Sequence, residues 1–154
     1  MERRIFIRAI IGAGATAVAA PRFARAMIGT ASIPMTVYKS PSCGCCKSWV
    51  THMQGAGFTV KVIDMDDLTT VKKNAGVPQQ LQSCHTALVG GYVVEGHVPA
   101  DLVKKMLNQK SSIIGVAVPG MVTGSPGMEM GNSKDPYDVI AFDRAGKTLV
   151  FAKR

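Results

Sequence analysis

The segment SPSCGCCKSW, residues 40–49, holds three of the chain's four cysteines within four positions: Cys43, Cys45 and Cys46. The run before it, residues 35–40, is rich in β-forming residues and predicts a strand that ends near Tyr38. From residue 45 to residue 54 the apolar side chains recur at helical spacing, and two glycines follow. The chain is therefore expected to fold here as a strand, a tight turn and a helix, with the cysteines at the helix N-terminus.

The next elements predict an α/β domain. Alternation predicts a strand over residues 58–65, and residues 66–76 predict a short helix with Asp66 or Asp67 as its cap. Residues 85–97 predict a hairpin around Gly90 and Gly91, and residues 98–110 predict a helix with Pro99 in its first turn. The order β-α-β-α-β-β-α, with Cys-x-x-Cys after the first strand, resembles the thioredoxin-like fold.

The remainder of the chain departs from that pattern. Residues 111–132 are rich in Gly, Pro and Met, and residues 137–154 predict a last hairpin that turns at Arg144, Ala145 and Gly146. We expect a single thioredoxin-like domain over residues 27–154, with an added Gly/Met-rich loop and a C-terminal β-hairpin.

A disulfide or a redox Cys-x-x-Cys pair uses two thiols, so the third sulfur needs its own explanation. In a regular helix Cys45 would point roughly 200° away from Cys43. The three sulfurs can converge if Cys43 still lies in the turn, which Gly44 permits. Converging thiolates repel one another without a cation, and such sites suit Cu(I), zinc or an iron–sulfur cluster.

Three other segments carry candidate ligands. Cys84 and His85 precede the third predicted strand, where a thioredoxin-like fold usually has a cis-proline facing the Cys-x-x-Cys turn. His97 is expected at the start of the next helix. The loop adds three soft thioethers: Met121, Met128 and Met130.

Each candidate also has an ordinary structural interpretation, which stays open. Cys43 and Cys46 can form a disulfide, and Cys84 can be a buried core thiol. His85 and His97 can be hydrogen-bonded structural residues, and the loop methionines can fill the core. We expect His52 at the surface and Trp49 in the core.

The first 26 residues are typical of an export signal: a basic start, a short apolar stretch and a small-x-small end. The motif RRIFIR at residues 3–8 resembles the twin-arginine signal. This segment supplies half of the formal net charge of +8. No basic cluster with interleaved aromatic residues follows it, so nucleic-acid binding is not expected. We expect export to the periplasm and no membrane attachment once the signal is removed; an uncleaved N-terminal anchor helix stays the alternative.

The motifs SPSCGCCKSW, SCHTALVGGYVVEGHVPA and AVPGMVTGSPGMEMG together resemble domain-of-unknown-function family 411, the CopG-like exported copper-binding proteins. The resemblance runs from about residue 35 to residue 154. It implies a copper site built from Cys43, Cys45, Cys46 and Cys84, with His85 and His97 nearby. It also implies a role in copper resistance, in which Cu(I) or Cu(II) is sequestered, handed to copper-efflux or other copper-resistance proteins, or interconverted.

Two rival functions remain. A thiol–disulfide oxidoreductase would use Cys43 as the nucleophile and Cys46 as the resolving thiol. A zinc-binding structural module could use Cys43, Cys46, Cys84 and His85 as a tetrahedral set.

Overall fold

The computed structural model describes residues 32–109 and 112–154, so the predicted export signal lies outside the described residues. The strands are β1 (Ile33–Lys39), β2 (Phe58–Asp64), β3 (His85–Val89), β4 (Tyr92–Glu95), β5 (Gly115–Ala117), β6 (Asp138–Phe142) and β7 (Thr148–Lys153). The helices are α1 (Gly44–Gly55), α2 (Thr69–Asn74) and α3 (Ala100–Gln109), with a 3-10 turn at Gln79–Leu81.

All seven strands form one sheet in the order β2-β1-β3-β4-β5-β6-β7. β1 is parallel to β2 and antiparallel to β3, and β3 is antiparallel to β4. This arrangement confirms the predicted α/β class and is consistent with a thioredoxin-like unit over β1 to α3. Because β1 and β2 run in parallel, α1 must cross back over the sheet, which brings its N-terminus to the end of β1.

The predicted elements before residue 110 are present, with two differences at helix starts. The short helix α2 begins at Thr69 with Leu68 before it, but the Asp67 carboxylate still accepts from the Thr69 amide at 2.8 Å. His97 does not open a helix as predicted. It lies in the bend between β4 and α3, because Glu95 ends the strand and the helix begins only at Ala100.

The tail continues the sheet rather than forming only a loop and a hairpin. β5 was not predicted, since three residues are too short to show an alternation. It pairs in parallel with β4 and antiparallel with β6. A Cβ at Gly115 would lie 2.5 Å from the Val93 carbonyl oxygen and 2.7 Å from the Phe142 ring, so glycine is needed for this close pairing.

The core lies between the sheet and helices α1 and α3. Trp49 is fully buried, as expected, and its indole N–H donates to the Val98 carbonyl at 2.9 Å. His52 is exposed, as expected, yet its Nε2 accepts from the Ala100 amide at the start of α3. These two bonds fix the bend that carries His97 against α1. Within the described part of the chain, no helix is long and apolar enough to cross a membrane.

Candidate metal centre

The turn between β1 and α1 gathers the cysteines as the sequence predicted. Cys43 is the N-cap of α1, with extended backbone at φ −73°, and its Sγ accepts from the Cys46 amide at 3.3 Å. Because Cys43 stays outside the helix, its Sγ comes within 3.5 Å of Cys45 Sγ. With Cys84 included, all four cysteine sulfurs lie within 4.8 Å of one another.

Two of these sulfurs are joined. Cys43 and Cys46 form a disulfide, whereas Cys45 and Cys84 are free thiols. A disulfide was one of the two interpretations of this cysteine pair, and it is the one that the structure contains. In that state only Cys45 and Cys84 can supply thiolate ligands, and reduction of the disulfide would bring the number to four.

Cys84 also belongs to a second group, with two histidines. Its Sγ lies 3.3 Å from His85 Nδ1 and 3.1 Å from His97 Nε2. The three ligand atoms lie within 4.8 Å of one another. Cys84 therefore joins a sulfur group on one side to a pair of imidazoles on the other.

His97 is held in one tautomer by the loop above it. Its Nδ1 lies 2.8 Å from the Pro126 carbonyl oxygen, which can only accept, so Nδ1 carries the proton. The lone pair of neutral His97 is then on Nε2, the atom that faces Cys84. Burial lowers the pKa of His97, which favours this neutral, ligating form near pH 7.

His85 is fully buried against the Trp49 ring, with ring centroids 4.4 Å apart. Its Nε2 has no hydrogen-bond partner among the described residues. Burial, then the charges of His97 and Lys72, hold its pKa well below the usual value. The nitrogen that faces the free thiol of Cys84 is the other one, Nδ1, at 3.3 Å, and a neutral imidazole can offer its lone pair to a metal ion from there.

The free thiol at the centre is protonated in the metal-free protein. Burial, and then the nearby charge of Cys45, raise the pKa of Cys84 to about 11. A bound cation reverses this preference, because a coordinating thiol is deprotonated. Cys84 is therefore a neutral sulfur donor until a cation arrives, which suits a thiophilic metal ion.

The Gly/Pro/Met-rich loop is tied to the site at three points. Ser83, which directly precedes Cys84, donates its hydroxyl hydrogen to the Gly120 carbonyl. The Pro126 carbonyl accepts from His97 Nδ1. At Gly127 a Cβ would lie 2.7 Å from both the Cys45 carbonyl oxygen and the Trp49 amide nitrogen. The loop therefore packs directly on the N-terminal turn of α1.

Two of the three loop methionines are at the surface. Met121 is 60% exposed and Met130 is 66% exposed, whereas Met128 is half-buried. Core filling is thus excluded for Met121 and Met130. Metal binding by the thioethers stays a prediction.

Sequence reasoning missed a buried ion pair beneath the site. Lys72 on α2 and Glu95 at the end of β4 lie 2.5 Å apart, Nζ to Oε1. The sequence did contain a signal, because Glu95 directly follows the apolar run Tyr92–Val94 and continues a buried strand. A charged residue is almost never fully buried without a partner, so a buried cation near Glu95 could have been expected.

Part of this site lies within a known protein family. Residues 81–128, which include Cys84, both site histidines and most of the loop, match the family described as "Protein of unknown function, DUF411". No curated protein matches the sequence.

Two solved structures, named "Copper resistance protein copG- Form 2" and "Copper resistance protein copG- Form 1", are similar to this chain. Each is 41% identical and matches 80% of this chain and 98% of its own, with TM-scores of 0.77 and 0.76. At this identity and coverage, the chain belongs to the DUF411 family, together with the copper resistance protein CopG.

Proposed function

We propose that this protein binds Cu(I) through Cys43, Cys45, Cys46 and Cys84 and acts in copper resistance. The observation that carries the proposal is the convergence of four cysteine sulfurs within 4.8 Å, on two separate segments. Soft thiolates favour Cu(I) over harder ions. The copper-resistance name of the two similar structures supports the choice of metal.

Copper binding at the full sulfur group requires the Cys43–Cys46 disulfide to open. Opening takes two electrons and two protons, from two thiols of a reducing partner or from another two-electron reductant, and gives two thiols. All four sulfurs then bind copper as thiolates, releasing their protons. Because one sulfur can bridge two ions, the group has room for more than one Cu(I).

The two histidines extend the proposal to Cu(II). Imidazole accepts Cu(II) more readily than thiolate does, and His85 and His97 lie beside Cys84. Because Cys84 belongs to both groups, a copper ion could pass from the sulfur ligands to the imidazoles of His85 and His97 without leaving the protein. We therefore place sequestration, handover and Cu(I)/Cu(II) interconversion at one continuous site, with the loop methionines as outer ligands for incoming Cu(I).

The decisive experiment is metal competition on reduced protein under anaerobic conditions. We expect at least one Cu(I) per chain, held against a Cu(I) chelator and far more tightly than Zn(II). Native mass spectrometry gives the stoichiometry. One equivalent of zinc that excess Cu(I) cannot displace would contradict the proposal and favour the zinc-binding alternative.

A thiol–disulfide oxidoreductase is the second candidate, because the structure holds the Cys43–Cys46 disulfide at a helix N-terminus. Such a position lowers a thiol pKa and suits exchange chemistry. Against it, Cys84 and His85 stand where the thioredoxin-like fold usually places the proline that positions a disulfide substrate. An insulin-reduction assay on the copper-free protein tests this candidate directly.

The place of action is part of the proposal. We propose export through the segment 1–26, with other copper-resistance proteins of the periplasm as exchange partners. A tagged full-length chain should fractionate with the periplasm, and Arg3→Lys/Arg4→Lys should keep it in the cytoplasm. Equal periplasmic yields from both chains would exclude the twin-arginine route.

A further inference from the structure

A buried polar network lies directly beneath the segment that carries Cys84 and His85. Glu95 and Thr86 are fully buried and Lys72 is 7% exposed. One carboxylate oxygen of Glu95, Oε1, accepts from Lys72 Nζ at 2.5 Å and from the Ser83 amide at 2.7 Å. The other, Oε2, accepts from the Thr86 hydroxyl at 2.6 Å.

The Ser83 amide is the contact that links this network to the metal centre. Ser83 directly precedes Cys84 and lies in an irregular stretch between the 3-10 turn and β3, where no strand partner is available for its N–H. The Glu95 carboxylate takes that place. The Lys72 ammonium fixes the carboxylate further, because it also donates to Thr86 Oγ1 at 3.0 Å.

The two ligand-bearing segments meet at this point. Thr86 and Glu95 are register partners in β3 and β4, so Cys84 and His97 lie just beyond the paired ends of the same two strands. The two segments can come this close because residue 96 is a glycine: a Cβ there would lie 2.5 Å from Ser83 Oγ. The Gly96 amide donates to the His85 carbonyl at 3.0 Å. The Glu95 carboxylate thus spans the gap between both segments.

Stability alone is a weak reason for such a network. Replacing a buried ion pair by apolar residues of similar size is often neutral or stabilising. Groups that orient metal ligands from behind, in contrast, commonly change metal affinity by about tenfold or more when removed. We infer that Glu95, held by Lys72 and Thr86, is a positioning residue that sets Cys84 against His97 for metal binding.

This inference rests on the proposed function, and two double variants test it. Lys72→Met/Glu95→Gln removes both charges but keeps an amide oxygen that can accept from Ser83. Lys72→Met/Glu95→Leu removes the charges and the acceptor together at similar volume. Asp101→Asn is the matched control, because Asp101 pairs with Arg154 at the surface and has no bond to the Cys84 segment.

We expect the control to keep wild-type Cu(I) affinity and Cu(II) spectra, and the Gln variant to stay closer to wild type than the Leu variant does, because it keeps an acceptor for the Ser83 amide. The Leu variant should lose about tenfold or more in Cu(I) affinity and show altered Cu(II) hyperfine values, even where its unfolding midpoint equals that of wild type. Wild-type affinity and spectra in the Leu variant would overturn the inference.

A metal-free measurement separates this inference from the proposed function. Amide hydrogen exchange at Ser83 should be about tenfold faster or more in the Leu variant than in the Gln variant, because only the latter retains an acceptor. Equal exchange in the two variants would remove Glu95 from its role. Absence of copper binding by the wild type would instead count against the proposed function.

If either double variant fails to fold, Thr86→Val serves in its place. It keeps both charges and removes the hydroxyl that donates to Glu95 Oε2 and accepts from Lys72 Nζ. Faster Ser83 exchange and weaker Cu(I) binding in Thr86→Val would support the inference, and unchanged values for both would overturn it.

Discussion

Cys84 Sγ lies 3.1 Å from His97 Nε2, and the Pro126 carbonyl on the far side of the ring fixes that nitrogen as the one with the lone pair. One thiol therefore faces both a sulfur group and an oriented imidazole. Sulfur ligands hold Cu(I), and imidazole also accepts Cu(II). The relation between these two residues is what separates this site from a two-thiol exchange site.

Cys45 distinguishes metal binding from disulfide exchange. It lies outside the Cys43–Cys46 disulfide but within the group of four sulfurs. We expect Cys45→Ser to weaken Cu(I) binding as much as Cys46→Ser does, and Ser48→Ala, one turn along α1, to have no effect. Chelator competition measures all three. Normal copper loading in Cys45→Ser, with disulfide-reductase activity lost only in Cys43→Ser, would favour the oxidoreductase.

The histidines should give Cu(II) a distinct spectrum. We expect nitrogen hyperfine structure in the electron paramagnetic resonance spectrum of the wild type, and its loss in His85→Gln/His97→Gln. His52→Gln is the matched control, because the His52 side chain is exposed and bonds to the Ala100 amide, away from the Cys84 group. The His52→Gln variant should keep the Cu(II) spectrum. It should lose roughly 1 kcal/mol of stability, because His52 caps the first amide of α3. Identical spectra in all three proteins would leave a purely sulfur-based Cu(I) site.

Cys84 should react slowly in the metal-free protein. With its pKa raised to about 11, only about one thiol in a thousand is ionised at pH 8. The rate of alkylation, followed by mass spectrometry, should therefore rise about tenfold per pH unit from 7 to 10. Cys45→Ser should speed the reaction, because both the charge of Cys45 and its hydrogen bond raise the Cys84 pKa. A rate that levels off near pH 8.5 would contradict the assignment.

The first half of the fold could be predicted because local patterns determine it. Apolar spacing and terminal glycines placed α1 within one residue at each end, and Gly90–Gly91 placed the β3–β4 turn. β5 could not be predicted, because Gly115–Ala117 is a strand only through its pairing with β4 and β6.

The candidate site could be predicted by residue type but not by chemical state. Two cysteines three residues apart serve equally well as a disulfide or as metal ligands, so their spacing could not reveal the bond between Cys43 and Cys46. The Lys72–Glu95 pair joins residues 23 positions apart on different elements, and no sequence period connects them.

The loop over the site should be sensitive to one glycine and tolerant at another. Gly127 and Gly131 both have positive φ, +85° and +60°, but only Gly127 lies against α1. Gly131→Ala should cost about 1 to 2 kcal/mol, the usual cost of a left-handed conformation. Gly127→Ala should cost about 1 to 3 kcal/mol more, because its Cβ would meet backbone atoms of Cys45 and Trp49 that cannot move freely.

The same pair of variants tests whether the loop serves the metal centre. Displacing Gly127 also displaces Pro126, whose carbonyl fixes the His97 tautomer. We expect Gly127→Ala to lose copper faster to a chelator than wild type and to show altered Cu(II) hyperfine values, whereas Gly131→Ala matches wild type in both. Denaturant unfolding measures the stability difference separately. Equal copper release from the two variants, at unequal stability, would reduce the loop to a structural cover with no part in holding His97.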